Sequence, residues 1–323
     1  METILQHIQF VLAMPADIIN GFGFLPEWMK PAIITCITFI PWLYFLYYLI
    51  ELLERFVLTH IAPFIKLCRR VGALVGITAS IVPECGYTIL ASTFYSRKMI
   101  SKGTLLAFLI ACSDDALPLL FMDLSKATAI IPLIIIKSIV AVIVAVVTDL
   151  IFVFNTKIEN SNPVNLDVNE PGCCHHKLMT IDHPPFWWLH PLSHTFNVFL
   201  FSLAIMLFLD CFITNVFGSP QAMASAMFID SPLQVVVGAI FGLIPNSVTS
   251  IALALAFVKG LISFPTFLAG MITSTGLGLY ALSKYNEEKN ADNSFITIVL
   301  LATAIVTGLL VFYNIGFLGS FVN

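Results

Sequence analysis

Charge is the scarcest thing in this chain. Only 11% of its 323 residues are Asp, Glu, Lys or Arg, where a soluble domain carries about 25%, and the mean hydropathy is +0.95. A soluble globular fold is excluded, and a polytopic membrane protein is what remains. A basic leader is also missing. Residues 1–24 carry Glu2 and Asp17 and are only moderately apolar, so they read as a retained N-terminal helix (1–28), not a cleaved signal. Disulfide spacing is absent as well: Cys36, Cys85, Cys112 and Cys211 fall in or near apolar spans, where Cys packs as a small hydrophobe. There is no Walker A sequence, so ATP-driven pumping within this chain is not expected. Neither H-E-x-x-H nor G-x-S-x-G occurs, which argues against a membrane protease or esterase. No enzyme activity, bound cofactor or nucleic-acid partner is expected. The expected partners are the bilayer, a transported ion and, as an option, a second copy in a homodimer.

What is present is a module that occurs twice. Residues 75–118 and 237–280 align without a gap at an offset of 162, with 11 of 44 positions identical. Pro83 falls on Pro245, and the copies read Pro83-Glu84-Cys85-Gly86 and Pro245-Asn246-Ser247 around it. Repeats with broken, polar-centred helices are the mark of secondary transporters, which hold their substrate where the copies meet.

Six stretches are long and apolar enough to span: about 31–50, 101–121, 128–153, 194–216, 261–282 and 294–317. Segments 71–96 and 233–258 have Pro and polar residues at their middle and could either span or re-enter. If both re-enter, one face carries 11 basic residues and the other three (Lys30, Lys126, Lys259); if both span, the split is 7 to 7. The positive-inside rule favours re-entry. The expected fold is then all-α, with two inverted repeats (29–153 and 191–323), each of three spanning helices and a Pro-broken hairpin. A cytoplasmic linker, 154–190, joins them, and the N-terminus is cytoplasmic.

Candidate ion-binding residues are the polar ones at bilayer depth, where an acid is costly and lines a pathway. Glu84 and Cys85 follow a proline that frees the carbonyl of Ala79, and Asn246 and Ser247 follow the one that frees Phe241. Ser113, Asp114 and Asp115 sit within a span. The two acids point about 100° apart on a helix and share a site only if the helix unwinds, as Pro118 allows. One acid would face a cation and the other a donor such as Lys137. The second copy has Thr273-Ser274-Thr275-Gly276 here, so Thr275 joins the list while the charges are gone. Plain alternatives stand beside these readings: a proline kink for Glu84, and a headgroup position for the two aspartates. This oxygen-rich set, led by Glu84, Asp114 and Asn246, suits a hard divalent ion such as manganese, and Cys85 adds a softer ligand. Cys173, Cys174, His175 and His176 form a compact tract in the linker. It reads as an ion-docking tract or an incidental polar stretch, without zinc-finger spacing. His190 and His194 are read as interfacial. Asp149 and Asp210 are read as lining the pathway or facing headgroups.

Val82-Pro83-Glu84-Cys85-Gly86, Ala91-Ser92-Thr93-Phe94-Tyr95-Ser96, Gly103-Thr104-Leu105-Leu106-Ala107, Ser113-Asp114-Asp115-Ala116-Leu117-Pro118 and Gly242-Leu243-Ile244-Pro245-Asn246-Ser247 together resemble the ten-segment heavy-metal exporters of bacteria, labelled manganese transporters or arsenic-efflux proteins. The likeness covers nearly all of the chain after residue 30. It departs at Asp115, where the family pattern more often has Glu. The resemblance implies export of a metal ion across the bacterial cytoplasmic membrane, coupled to proton or sodium exchange. Its ten segments are matched if each half-helix counts as one. Efflux of arsenite or an organic anion is the first rival reading, and a membrane-embedded enzyme using Asp114 and Asp115 is the second.

Overall fold

The computed structural model describes residues 18–23, 25–59, 72, 74–78, 86–113, 115–152, 188–229, 231–286 and 290–315. Among these there is no strand. The helices are α1 (Lys30–Thr59), α2 (Gly86–Ser96), α3 (Lys102–Ala111), α4 (Ala116–Leu120), α5 (Leu124–Ala127), α6 (Ile130–Phe152), α7 (Leu189–Phe212), α8 (Pro220–Ala226), α9 (Pro232–Gly242), α10 (Ser247–Val258), α11 (Phe264–Thr273), α12 (Gly278–Tyr285) and α13 (Asn290–Phe312). A helical turn at 74–78 precedes α2. Among the described residues six helical stretches are long and apolar enough to cross a membrane, from Lys30–Leu52 to Ala291–Phe312, and they coincide with the six read from the sequence. The chain is an all-α membrane protein.

The helices carry their apolar residues outward as well as inward. Ile131, Ile143, Leu150 and Ile151 of α6 and Phe196, Phe201 and Phe208 of α7 are exposed, as a lipid-facing surface requires. Polar side chains such as Ser92, Ser113, Asp115 and Lys137 are buried instead.

Helix boundaries repeat along with the sequence. Helices α3 and α11 begin at Lys102 and Phe264, the offset of 162 that relates the sequence copies. Both follow a serine cap in extended backbone, Ser101 and Ser263. Helices α4 and α12 keep the same offset, at Ala116 and Gly278. Packing follows this correspondence. Helix α3 lies on α6 as α11 lies on α13, α2 lies on α12 as α10 lies on α4, and α1 packs on its counterpart α7.

In the second copy, the segment that could span or re-enter is two short helices whose far ends lie together. Helices α9 and α10 have 11 and 12 residues, about 17 Å each and roughly half a hydrocarbon core. Gln234, near the start of α9, donates to the Leu261 carbonyl at 3.1 Å, and its Oε1 accepts from the Ser263 N–H at 3.1 Å and from Thr266 at 2.9 Å. Residues 261–266 follow α10, so the start of one arm and the end of the other stand at the same level. In the first copy, Gly72 sits against Thr104 and Gly76 against Phe108 and Ala107, each too close for a Cβ. We expect Gln234→Leu to release the second hairpin from α11, lowering the detergent melting temperature by about 5 °C, because the hydroxyls and N–H it satisfies are left buried.

The segments that lead into α3 and α11 lie at opposite ends of α6, which is 23 residues or about 34 Å long. At its C-terminal end Asp149 accepts from Ser101 Oγ and from the Gly103 N–H, both at 2.8 Å. Near its N-terminal end, Ser125, Lys126 and Pro132 share a cleft with Phe257, Gly260 and Ser263.

Candidate functional site

Both long spans that carry the repeat's second half are broken. Helix α3 ends at Ala111 and α4 begins at Ala116; α11 ends at Thr273 and α12 begins at Gly278. At each break the last N–H still reaches back into the helix, Cys112 to the Phe108 carbonyl at 3.1 Å and Ser274 to the Gly270 carbonyl at 2.9 Å, and then the backbone turns out. The causes differ. In the first copy Pro118 denies the Asp114 carbonyl its helical partner. In the second, Gly276 takes φ +54, a left-handed conformation that a glycine adopts without strain. The unwinding that a shared site needs is therefore present at both positions.

Lys137 joins the two breaks. It projects from α6, is 1% exposed, and its ammonium donates to the Cys112 carbonyl at the first break and to the Met271 carbonyl at the second, the latter at 2.8 Å. Each carbonyl stands at the C-terminal end of a half-helix, where the helix dipole is negative and a cation is favoured. Helix α13, the counterpart of α6, has no lysine.

Asp115 occupies the first break and is 3% exposed. Tyr47 Oη of α1 donates to its Oδ1 at 2.9 Å, and His194 Nε2 of α7 lies 3.2 Å from the same oxygen. The Tyr47 and His194 rings meet edge to face, with centroids 4.3 Å apart. Both partners converge on Oδ1, which leaves Oδ2 for a further ligand. The equivalent position in the second copy is Leu277, so the acidic centre is one-sided.

The sequence-derived candidates divide as follows. Ser113, Asp115 and Thr275 are buried at the breaks. Thr275 also ties the copies together, since its carbonyl accepts from Thr88 Oγ1 of α2 at 3.0 Å, while the Gly278 carbonyl accepts from Ser92 at 2.8 Å. The Ser274 and Thr275 hydroxyls are buried and have no hydrogen-bond partner. Asn246 is exposed at the tip of the second hairpin, where its Oδ1 caps α10 through the Val248 N–H at 3.1 Å; Ser247 beside it is half-buried. Glu84, Cys85, Asp114, Cys173, Cys174, His175 and His176 lie outside the described residues. Among the described residues no three His, Cys, Asp or Glu side chains converge as a metal-holding group.

Three of these readings gain detail. His194, expected at an interface, is half-buried and lies against Asp115. Asp115 is partnered by Tyr47 and His194, and the other acid expected as a partner for Lys137, Asp114, lies outside the described residues. Asp210 is paired with Lys259 at 2.6 Å. Tyr47 had not been singled out at all. It lies in an apolar run with no motif around it, and only the packing of α1 on α7 brings it to the acid. No family model, curated protein or solved structure matches the chain.

Proposed function

We propose that this chain is a secondary-active transporter that exports a divalent metal cation, manganese first among them, across the cytoplasmic membrane in exchange for protons or sodium. The observation that carries the reading is Asp115: a carboxylate buried at a break within a span, held through one oxygen and open through the other. An acid in that position is costly unless a cation or a proton uses it. Glu84 and Asp114 belong to the same motifs and would add oxygens to a divalent ion's shell.

The architecture supports alternation between two faces. An odd number of crossings per copy places the second copy upside down relative to the first, so the two form inverted repeats. Segments leading into α3 and α11 at opposite ends of α6, and packing that exchanges between the copies, are what such a pair requires. The face at Arg97, Lys98 and Lys102 is then cytoplasmic.

Purified protein in liposomes loaded with a manganese-quenched dye tests the reading. Manganese entry that accelerates when an opposing proton or sodium gradient is imposed is the expected result. Absence of divalent flux under every gradient would overturn it, flux of arsenite or an organic anion would replace it with the anion reading, and chemical turnover without flux would identify an enzyme.

A further inference from the structure

One end of the molecule is tied shut and the other stands open, at places that correspond between the copies. Tyr95 of α2 and Lys102 of α3 belong to the first copy, and Asp292 of α13 to the second. The Tyr95 hydroxyl donates to Asp292 Oδ2, and the Lys102 ammonium pairs with Oδ1. That ammonium also lies 4.1 Å from the Phe152 ring centroid and 5.1 Å from that of Phe295. Tyr95, Lys102 and Asp292 are half-buried, where a charge-assisted contact is stronger than in water. The offset of 162 carries Tyr95 to Phe257 and Lys102 to Phe264. Asp292, the third residue of α13, answers to Pro132, the third of α6, a helix of the same length. Phe257, Phe264 and Pro132 all line one cleft of about 590 Å³. The tie and the cleft lie far apart. Phe152 at the end of α6 meets Phe295 near the start of α13, with centroids 5.3 Å apart, so the tie stands at the C-terminal end of α6 and the cleft at its N-terminal end.

We infer that Tyr95, Lys102 and Asp292 form a gate that holds their end of the molecule shut, and that the cleft is the corresponding gate of the second copy standing open. The inference rests on the transport reading, because a transporter of paired repeats works by rocking one repeat against the other and opens its ends in turn. The two gates differ in chemistry. The first closes on an ion pair and a hydroxyl. The second closes on Phe257, Phe264 and Pro132, which are apolar. Its aromatic wall is already assembled, with Phe257 stacked on Phe267 at 4.8 Å and 6.1 Å from Phe264. Each gate joins one copy to the other: α2 and α3 to α13 at the tie, α10 and α11 to α6 at the cleft. Helices α3 and α11 touch between the two ends, which gives movement at one end a rigid path to the other.

Hydrogen–deuterium exchange, read by mass spectrometry on the full-length protein in liposomes, tests the gate without any flux. Peptides over 96–103 and 290–296 report on the tie, and peptides over 125–132 and 257–264 on the cleft. Lys102→Met keeps a side chain over the two rings and removes the charge. Exchange at the tie is expected to rise by about tenfold or more, the factor that loss of a charge-assisted contact carries. Exchange at the cleft is expected to fall by about threefold or more, as the population shifts to the state in which that end is closed. Tyr95→Phe removes a single hydroxyl and is expected to move both ends in the same directions by a smaller factor, so it decides the matter if Lys102→Met does not fold. Faster exchange at both ends, or an unchanged cleft, makes the contact a structural tie and overturns the inference, as does an unchanged tie. Opposite changes at the two ends in a protein that moves no ion leave the gate standing and sink the transport reading, whereas divalent flux without opposite changes sinks the gate alone.

Discussion

Asp115→Asn is expected to reduce metal flux by about 100-fold or more while the protein folds and inserts normally. The two effects separate because the substitution changes charge and little else. The amide oxygen of Asn can still accept from Tyr47 Oη, now 2.9 Å from Asp115 Oδ1, and the side chain keeps its volume in a site that is 3% exposed. What is lost is the negative charge that would meet a cation at Oδ2. Removing one partner of a buried ion pair costs about 3–5 kcal/mol, and each 1.4 kcal/mol is a factor of ten. Flux in the manganese-quench assay and the melting temperature in detergent are the paired measurements. Asp123→Asn serves as the control. Asp123 caps the short helix α5 through Ser125 at 2.9 Å, away from the breaks, and is expected to leave flux within twofold of the wild type. If Asp115→Asn transports within tenfold of the wild type, Asp115 is not the cation's ligand, and the buried Tyr47–Asp115–His194 cluster is a structural contact.

The second large effect is on the scaffold. Gly242 ends α9, and a Cβ there would lie closer than 3.0 Å to both the Gly270 carbonyl oxygen and Thr273 Oγ1. One of those atoms is backbone and cannot rotate away. The hairpin arm would have to slide off α11, breaking the bond from Thr273 Oγ1 to the Ala239 carbonyl at 2.8 Å. Overpacking of this kind costs about 1–3 kcal/mol, so Gly242→Ala is expected to lower the melting temperature by roughly 5 °C and to cut the monodisperse yield. Gly23→Ala, with nothing within 4 Å of the added carbon, is expected to change neither. An unaltered melting temperature in Gly242→Ala would mean that the hairpin does not press on α11 as closely as described.

Several elements were legible in the residue order for a physical reason. A span must bury about 20 apolar residues in lipid, so each of the six announces itself by composition. The repeat is legible because the same local instruction occurs twice at one offset: Ser101 and Ser263, 162 residues apart in the sequence, each precede the start of a helix. The position of Asp115 at a break followed from the same logic, since a proline three residues on removes a bond from the turn before it. Hairpin re-entry is favoured by the sequence only indirectly, through the balance of Lys and Arg between faces.

The site was legible in part. The sequence could single out Asp115 because an acid in an apolar run is conspicuous, and Lys137 for the same reason. It could not show that Tyr47 and His194 are the partners of Asp115. Asn246 was chosen by symmetry with Glu84, yet at the tip of its hairpin it is exposed and acts as a helix cap, a local role that any Asn after a turn can take.

By itself, then, the order of residues determined that this is a helical membrane protein with a doubled module, because hydropathy, proline and helix caps act over a few neighbouring positions. The tertiary structure alone decided which groups meet. Tyr47, Asp115 and His194 are separated by 68 and 79 residues, and Lys137 reaches a carbonyl 134 residues away. Such encounters are set by how α1 packs on α7 and how α3 crosses α11. No local preference encodes those distances; they follow from burying all the helices at once around a polar centre that has no other place to go.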